Sequence, residues 1–226
     1  GPGPLAEWVW PEVAGSTPRP LVVVPIGSFE QHGPHLPLDT DTVIAEALAD
    51  ALCRRVAPCA LGPTIAVGAS GEHQGFPGTL SIGTDALVAV LVELARSADW
   101  ASGLVFVNAH GGNAAALARA GGVIAGEGRR ALAWSPRIAG SDLHAGCTET
   151  SLMLHLAPQL VRVDAAEAGP TPAWEDLRSR GVRALSPNGV LGDPAAASAA
   201  AGAELFAGLA DDLVATVVAT AERWTR

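Results

Sequence analysis

Residues Leu21–Ile26 form an unbroken apolar run, rich in valine, that stops at Gly27. Such a run suits a strand buried on both faces of a sheet. Leu104–Val107 repeat the form and give way to Asn108-Ala109-His110-Gly111-Gly112. Ala131–Trp134 is a third candidate strand, ahead of the loop that carries His144. Between the strands apolar residues recur at helical intervals: Ile44, Leu48 and Leu52; Leu87, Leu91 and Leu94; then Leu205, Leu209, Leu213 and Val217. Strands alternating with such helices predict βαβ units, hence an α/β fold of three layers with a mainly parallel sheet between helices. The Pro- and Gly-rich stretch from Gly169 to Pro194 reads as a long surface segment over one end of the sheet, suited to be a lid or a subunit contact.

Composition narrows the class. At 226 residues the chain is long enough for a full core and is expected to be one domain over residues 1–226. Hydrophobic residues at 49% and charged ones at 16% place it among globular proteins. Arginine carries all the positive charge, and the net charge of −9 argues against a nucleic-acid partner, because phosphate binding needs clustered cations. No apolar run approaches the ~20 residues of a membrane span. Gly1-Pro2-Gly3-Pro4 lacks the charged and apolar regions of a signal peptide and is compatible with a cloning remnant. Cys53, Cys59 and Cys147 are odd in number with no metal-type spacing, so free thiols and a cytoplasmic location are expected.

The histidines carry the chemistry. His32, His35, His73, His110 and His144 fall in loops rich in Gly and Pro after apparent strands, where open α/β sheets build ligand sites; His155 alone lies in a helical pattern. Glu30 and His32 are two apart, so in extended chain both reach one metal centre. Asp41, just ahead of a helix, is placed to bridge two ions, whereas Asp39 reads as a helix cap. His110 leaves a buried strand into Gly111 and Gly112, whose bare backbone lets a substrate approach and whose N–H groups can hold an oxyanion. Asn113 there reads as an N-cap. In Asp142–Ser151, Glu149 is favoured as a ligand and His144 for proton transfer; Cys147 raises a thiol nucleophile, which the surrounding carboxylates and imidazoles make the weaker reading. Glu72 and His73 read as pocket wall or as support for the ligands. Three carboxylates and two imidazoles suit two divalent ions, Zn²⁺, Mn²⁺ or Fe²⁺. Held ~3.5–4 Å apart, such a pair polarises an amide carbonyl and lowers the pKa of a water.

The segments GSFEQHGPHLPLDTD, EHQGFPGT, NAHGGN, HAGCTETS and SPNGVLGDP resemble, in order, the motifs of the creatininase family, and they cover nearly the whole chain. The resemblance implies a three-layer α/β fold, a dinuclear site and a homo-oligomer, often a hexamer. It places one ion on Glu30, Asp41 and His110 and the other on His32 and Asp41. Creatininase itself has an aromatic residue and a ligand Glu where this chain has Gly111 and Gly112. The missing ligand is then Glu149, and creatinine is an unsuitable substrate. The run of motifs is most similar to a peptidase branch that releases a modified C-terminal Val–Tyr dipeptide from a ribosomally made precursor peptide. Two other readings stand beside it: a small-molecule amidohydrolase (formamide deformylase or cyclic-amide hydrolase), and a metal-binding scaffold without catalysis.

Overall fold

A computed structural model describes residues 3–224; Gly1 and Pro2 of the suspected cloning remnant lie outside the described residues. The elements in chain order are α1 (Trp10–Gly15), β1 (Leu21–Ile26), α2 (Thr40–Arg55), β2 (Cys59–Leu61), α3 (Gly83–Ser97), β3 (Gly103–Asn108), α4 (Ala114–Gly126), β4 (Ala131–Trp134), α5 (Cys147–Leu156), α6 (Trp174–Arg180), α7 (Val182–Leu185) and α8 (Ala199–Trp224). The four strands are all parallel, in the order β2-β1-β3-β4.

The apolar runs are explained by burial on two sides. Along β1, Leu21 and Val23 enter a core shared with α2, α5 and α8, while Val22, Val24 and Ile26 enter a second core shared with α3 and α4. Val105 and Val107 of β3 divide from Leu104 and Phe106 in the same way. Period-2 geometry thus makes every residue of β1 and β3 a core residue, with no solvated face to break the hydrophobic pattern. The layers are α2/α5/α8, sheet, and α3/α4, the α/β/α arrangement expected.

Strand order positions the site. From β1 the chain moves outward to β2, then crosses back over β1 to β3. The loops leaving β1 and β3 therefore diverge to opposite sides of the sheet, and a crevice opens between their carboxyl ends. Gly27 lets the end of β1 meet α2: a Cβ there would collide with the backbone and hydroxyl of Thr42.

The sequence reading omitted β2 and α4. The three residues of β2 are too few for a periodic signal. In α4 the buried stripe is Ala116, Leu117, Ala120 and Ile124, where alanine stands at positions that leucine marks elsewhere. The segment from Gly169 to Pro194 is more structured than a surface strap. It carries α6 and α7 and buries Leu177, Val182 and Leu191 in a core of their own. Among the described residues no helix is long and apolar enough to cross a membrane.

Candidate active site

The loop after β1 delivers Glu30, Gln31 and His32, and the first turn of α2 delivers Asp41. Asp39 stands at the N-cap of α2 but makes no capping bond through its side chain. Asp41 is fully buried, and its two oxygens part company. Oδ1 lies 3.2 Å from His32 Nε2, while Oδ2 lies 3.0 Å from His110 Nδ1 and accepts from the Ser28 hydroxyl at 2.8 Å.

His110, at the end of β3, has its Nε2 3.2 Å from the carbonyl of Ala69. His32 has its Nδ1 3.1 Å from the carbonyl of Glu30, and His144 has its Nε2 2.7 Å from that of Gln31. A carbonyl only accepts, so each imidazole carries an N–H on that side and turns the other nitrogen inward. The inward nitrogens face carboxylates: His110 faces Asp41, His32 faces Asp41 and Glu149 (3.9 Å), and His144 faces Glu30 (3.9 Å) and Glu149 (4.0 Å). Carboxylates and imidazoles are thus crowded into one buried space.

Glu30 states the same problem most sharply. Its side chain is wholly buried, and neither carboxylate oxygen has a hydrogen-bond partner, although nitrogens of His73 and His110 approach to 3.1 and 3.2 Å. A buried, unpaired carboxylate is costly unless neutralised. Burial accordingly pushes Glu30 and Glu149 up to about 7. Burial opposes charge on His32 and His110, yet Asp41 and Glu30 beside them hold His32 at about 9 and His110 at about 10. Burial also raises the Asp41 carboxyl, but the two imidazoles outweigh it and keep Asp41 well below the usual carboxylate range. His144 and His73 are held well below the ordinary imidazole value, first by burial and then by neighbouring imidazoles.

Three sets of ligand atoms converge closely enough for an ion: Glu30, Asp41 and His110; His32, His144 and Glu149; and Glu30, His73 and His144. The first holds the residues that the resemblance assigns to one ion; the second holds His32 and Glu149 with His144, where Asp41 was expected, and Asp41 Oδ1 lies 3.2 Å from His32 Nε2. Glu149 sits in the first turn of α5, and its Oε2 also accepts from the N–H of Ala145 at 2.6 Å. Ala145 adopts φ 52°, a left-handed conformation for a non-glycine residue. Such strain collects at functional sites, and here it turns the chain between His144 and Glu149.

The remaining predicted residues occupy supporting places. His73 is buried behind Glu30, with Nδ1 3.0 Å from Gln31 Nε2. Gly111 and Gly112 begin a single 3-10 turn, and a Cβ on Gly112 would collide with Glu72, His110 and the Ala69 carbonyl. Asn113 stands at the N-cap of α4 but makes no capping bond through its side chain. It is buried, donating to the Gly27 carbonyl and to Asn108 while accepting from Ala69 N–H, and so ties three loops together. His35 bonds to Thr150, and Cys147 has Ser151 as its sulfur's contact at 3.9 Å, so neither addresses the centre.

Three residues were not singled out in the sequence. Gln31 donates to the Gly189 carbonyl and meets His73 and His144. Ser28 orients Asp41. Trp174 stands against Gly111 as the shared wall of two cavities. One cavity, about 320 Å³, is bounded by His110, Glu149, Leu152 and Trp174. The other, about 790 Å³, is bounded by Glu72, Gly111, Gly112 and Trp174. Trp174 lies 64 residues from His110 in a helix too short for a periodic signal, so only the tertiary fold finds it.

Residues 6–217 match the creatininase (creatinine amidohydrolase) family. The mycofactocin precursor peptide peptidase of Mycobacterium tuberculosis is 52% identical over 220 residues, covering 91% of this chain and 86% of its own. The protein of the same name from Mycolicibacterium smegmatis is 51% identical over 199 residues, covering 83% and 80%. Among solved structures, a manganese creatininase superposes with a TM-score of 0.83 at 22% identity, covering 94% of this chain and 96% of that one, which establishes the fold.

Proposed function

The chain belongs to the creatininase family of amidohydrolases, and from that premise we propose that it is a dinuclear metal-dependent peptidase releasing the modified C-terminal Val–Tyr dipeptide from the mycofactocin precursor peptide. The observation that carries the metal reading is the pair His32 and His110, each tied by one ring nitrogen to a backbone carbonyl and each aiming the other at Asp41. Neutral ligand nitrogens held by such bonds are what divalent ions require. The unpartnered oxygens of buried Glu30 fit the same need.

Glu30, Asp41 and His110 would hold one ion, and His32, Asp41 and Glu149 the other. Imidazole and carboxylate donors without thiolate suit Zn²⁺, Mn²⁺ or Fe²⁺. The ions supply Lewis-acid polarisation of the amide carbonyl and a water of lowered pKa. His144, fixed through Nε2, keeps Nδ1 free to carry a proton to the departing nitrogen. Glycine at positions 111 and 112 leaves the backbone bare beside the larger cavity, where a peptide can lie close. Trp174 supplies an apolar wall over that backbone.

The size of the larger cavity, about 790 Å³, favours a peptide over a formamide or cyclic amide. Names shared by relatives at 50–52% identity support the substrate. The same reading carries a cytoplasmic homo-oligomer of a one-domain chain. The test is anaerobically purified protein reconstituted separately with Fe²⁺, Zn²⁺ and Mn²⁺ and given the modified precursor, with unmodified peptide and creatinine as controls. Mass spectrometry should show a released C-terminal dipeptide fragment. No cleavage with any fully bound metal would refute the peptidase assignment.

A further inference from the structure

Hydrolysis at the candidate site leaves three arginines without a role. Arg178 and Arg180 sit in the last turn of α6 and Arg183 in α7, and all three line the larger cavity together with a single acidic residue, Glu72. This concentration is local, since the chain as a whole holds 14 basic against 23 acidic residues. Arg178 and Arg180 are exposed, and no ion pair or hydrogen bond joins either side chain to another described residue. Arg183 is fixed: its guanidinium lies 4.9 Å over the Phe76 ring and donates to the Pro187 carbonyl at 3.2 Å. A stacked, tethered guanidinium loses little freedom on meeting a carboxylate.

Across Trp174 the smaller cavity has the opposite character. Asp142 and Glu149 line it, and no arginine does. His110 is the one basic side chain there, and it faces Asp41.

We propose that the arginine-lined cavity binds an acidic segment of the peptide on the N-terminal side of the scissile bond, while the smaller cavity receives the released C-terminal end. The assignment of direction rests on the peptidase reading, in which a dipeptide leaves and the longer remainder needs the larger space. The charge assignment rests on the arginines alone. Long-range attraction of this kind governs recruitment, so it should act on substrate binding more than on the chemical step.

The test is fluorescence anisotropy with the metal-loaded full chain and two labelled peptides, one rich in Glu and Asp, the other its Gln and Asn counterpart. At about 50 mM salt the acidic peptide should bind about tenfold more tightly, and the difference should shrink at about 300 mM. The double variant R178E/R180E alters two exposed side chains, so it should keep fold and metal content while losing the preference for the acidic peptide. On the modified precursor the same variant should raise KM and leave kcat unchanged. Equal binding of the two peptides, or full acidic-peptide affinity in R178E/R180E, would overturn the proposal. Arginine-dependent binding without cleavage of the precursor would instead count against the peptidase reading and leave this site standing.

Discussion

Replacing Asp41 with Asn preserves the shape of the side chain while removing one charge and one acceptor from the centre of the site. In the metal-free protein, facing carboxylates hold His32 at about 9 and His110 at about 10, Asp41 foremost for His32 and Glu30 with Asp41 for His110. Against an ordinary imidazole near 6.5, those shifts correspond at pH 7.5 to about 2 and about 3 kcal/mol of folding stability. Glu30 and Glu149 retain part of the attraction in the variant, so a net loss of about 3 kcal/mol is expected. For a chain of this size that is a fall of about 10 °C in Tm. The sign with pH is set by both partners. Raised imidazoles contribute in full below about 6.5 and lose their contribution as pH climbs through 9 to 10. Asp41, held low, contributes above about 3.9 and fails only as pH falls through its depressed value. The gap between wild type and D41N should therefore be widest from about pH 4 to 6.5 and close toward pH 10. Calorimetry on chelator-treated protein at pH 6, 7.5 and 10 measures it. Equal melting at pH 6, or a gap that widens between pH 7.5 and 10, would refute the electrostatic account.

Three further outcomes follow from the same geometry. His144→Asn should cut kcat by about 10²–10⁴ while two ions per chain remain bound; loss of metal by elemental analysis would reassign His144 to the ligands. Ion binding must displace protons from His32 and His110, so apparent metal affinity should rise with pH up to about 9–10. A flat titration followed by isothermal calorimetry would contradict that. Gly112→Ala places a methyl group against Glu72, His110 and the Ala69 carbonyl, and should cost about 1–3 kcal/mol in chemical denaturation. An unchanged midpoint would mean that the turn after His110 yields freely.

How much of this was legible depends on what each element leaves in the sequence. β1 and β3 are buried on both faces and advertise themselves as apolar runs, and α2, α3 and α8 carry leucine at helical spacing. β2 and α4 hide because one is three residues long and the other buries alanine. The histidine and carboxylate clusters are local in sequence, so Glu30, His32, Asp41, His110, His144 and Glu149 could be named in advance and are found together. Trp174, Ser28 and the arginine cavity could not. Ser28 carries a hydroxyl like many others, and only the return of the chain to within 2.8 Å of Asp41 gives it a task. Asn113 stands at the N-cap its position suggested, but its side chain ties three loops together instead of capping, which no local signal shows.

The antiparallel bridge between His144 and Leu191, with the bond from Gln31 to the Gly189 carbonyl, has a consequence for how the protein matures in the cell. The inward pose of His144 depends on a residue made 47 positions later, and Gln31 waits for a partner 158 residues downstream. A chain emerging from the ribosome exposes Glu30, His32 and Asp41 early, but cannot close the centre until residues 189–191 are free to dock. On the dinuclear reading, acquisition of ions would then be an event of the finished chain, governed by whichever divalent metal the completed protein meets.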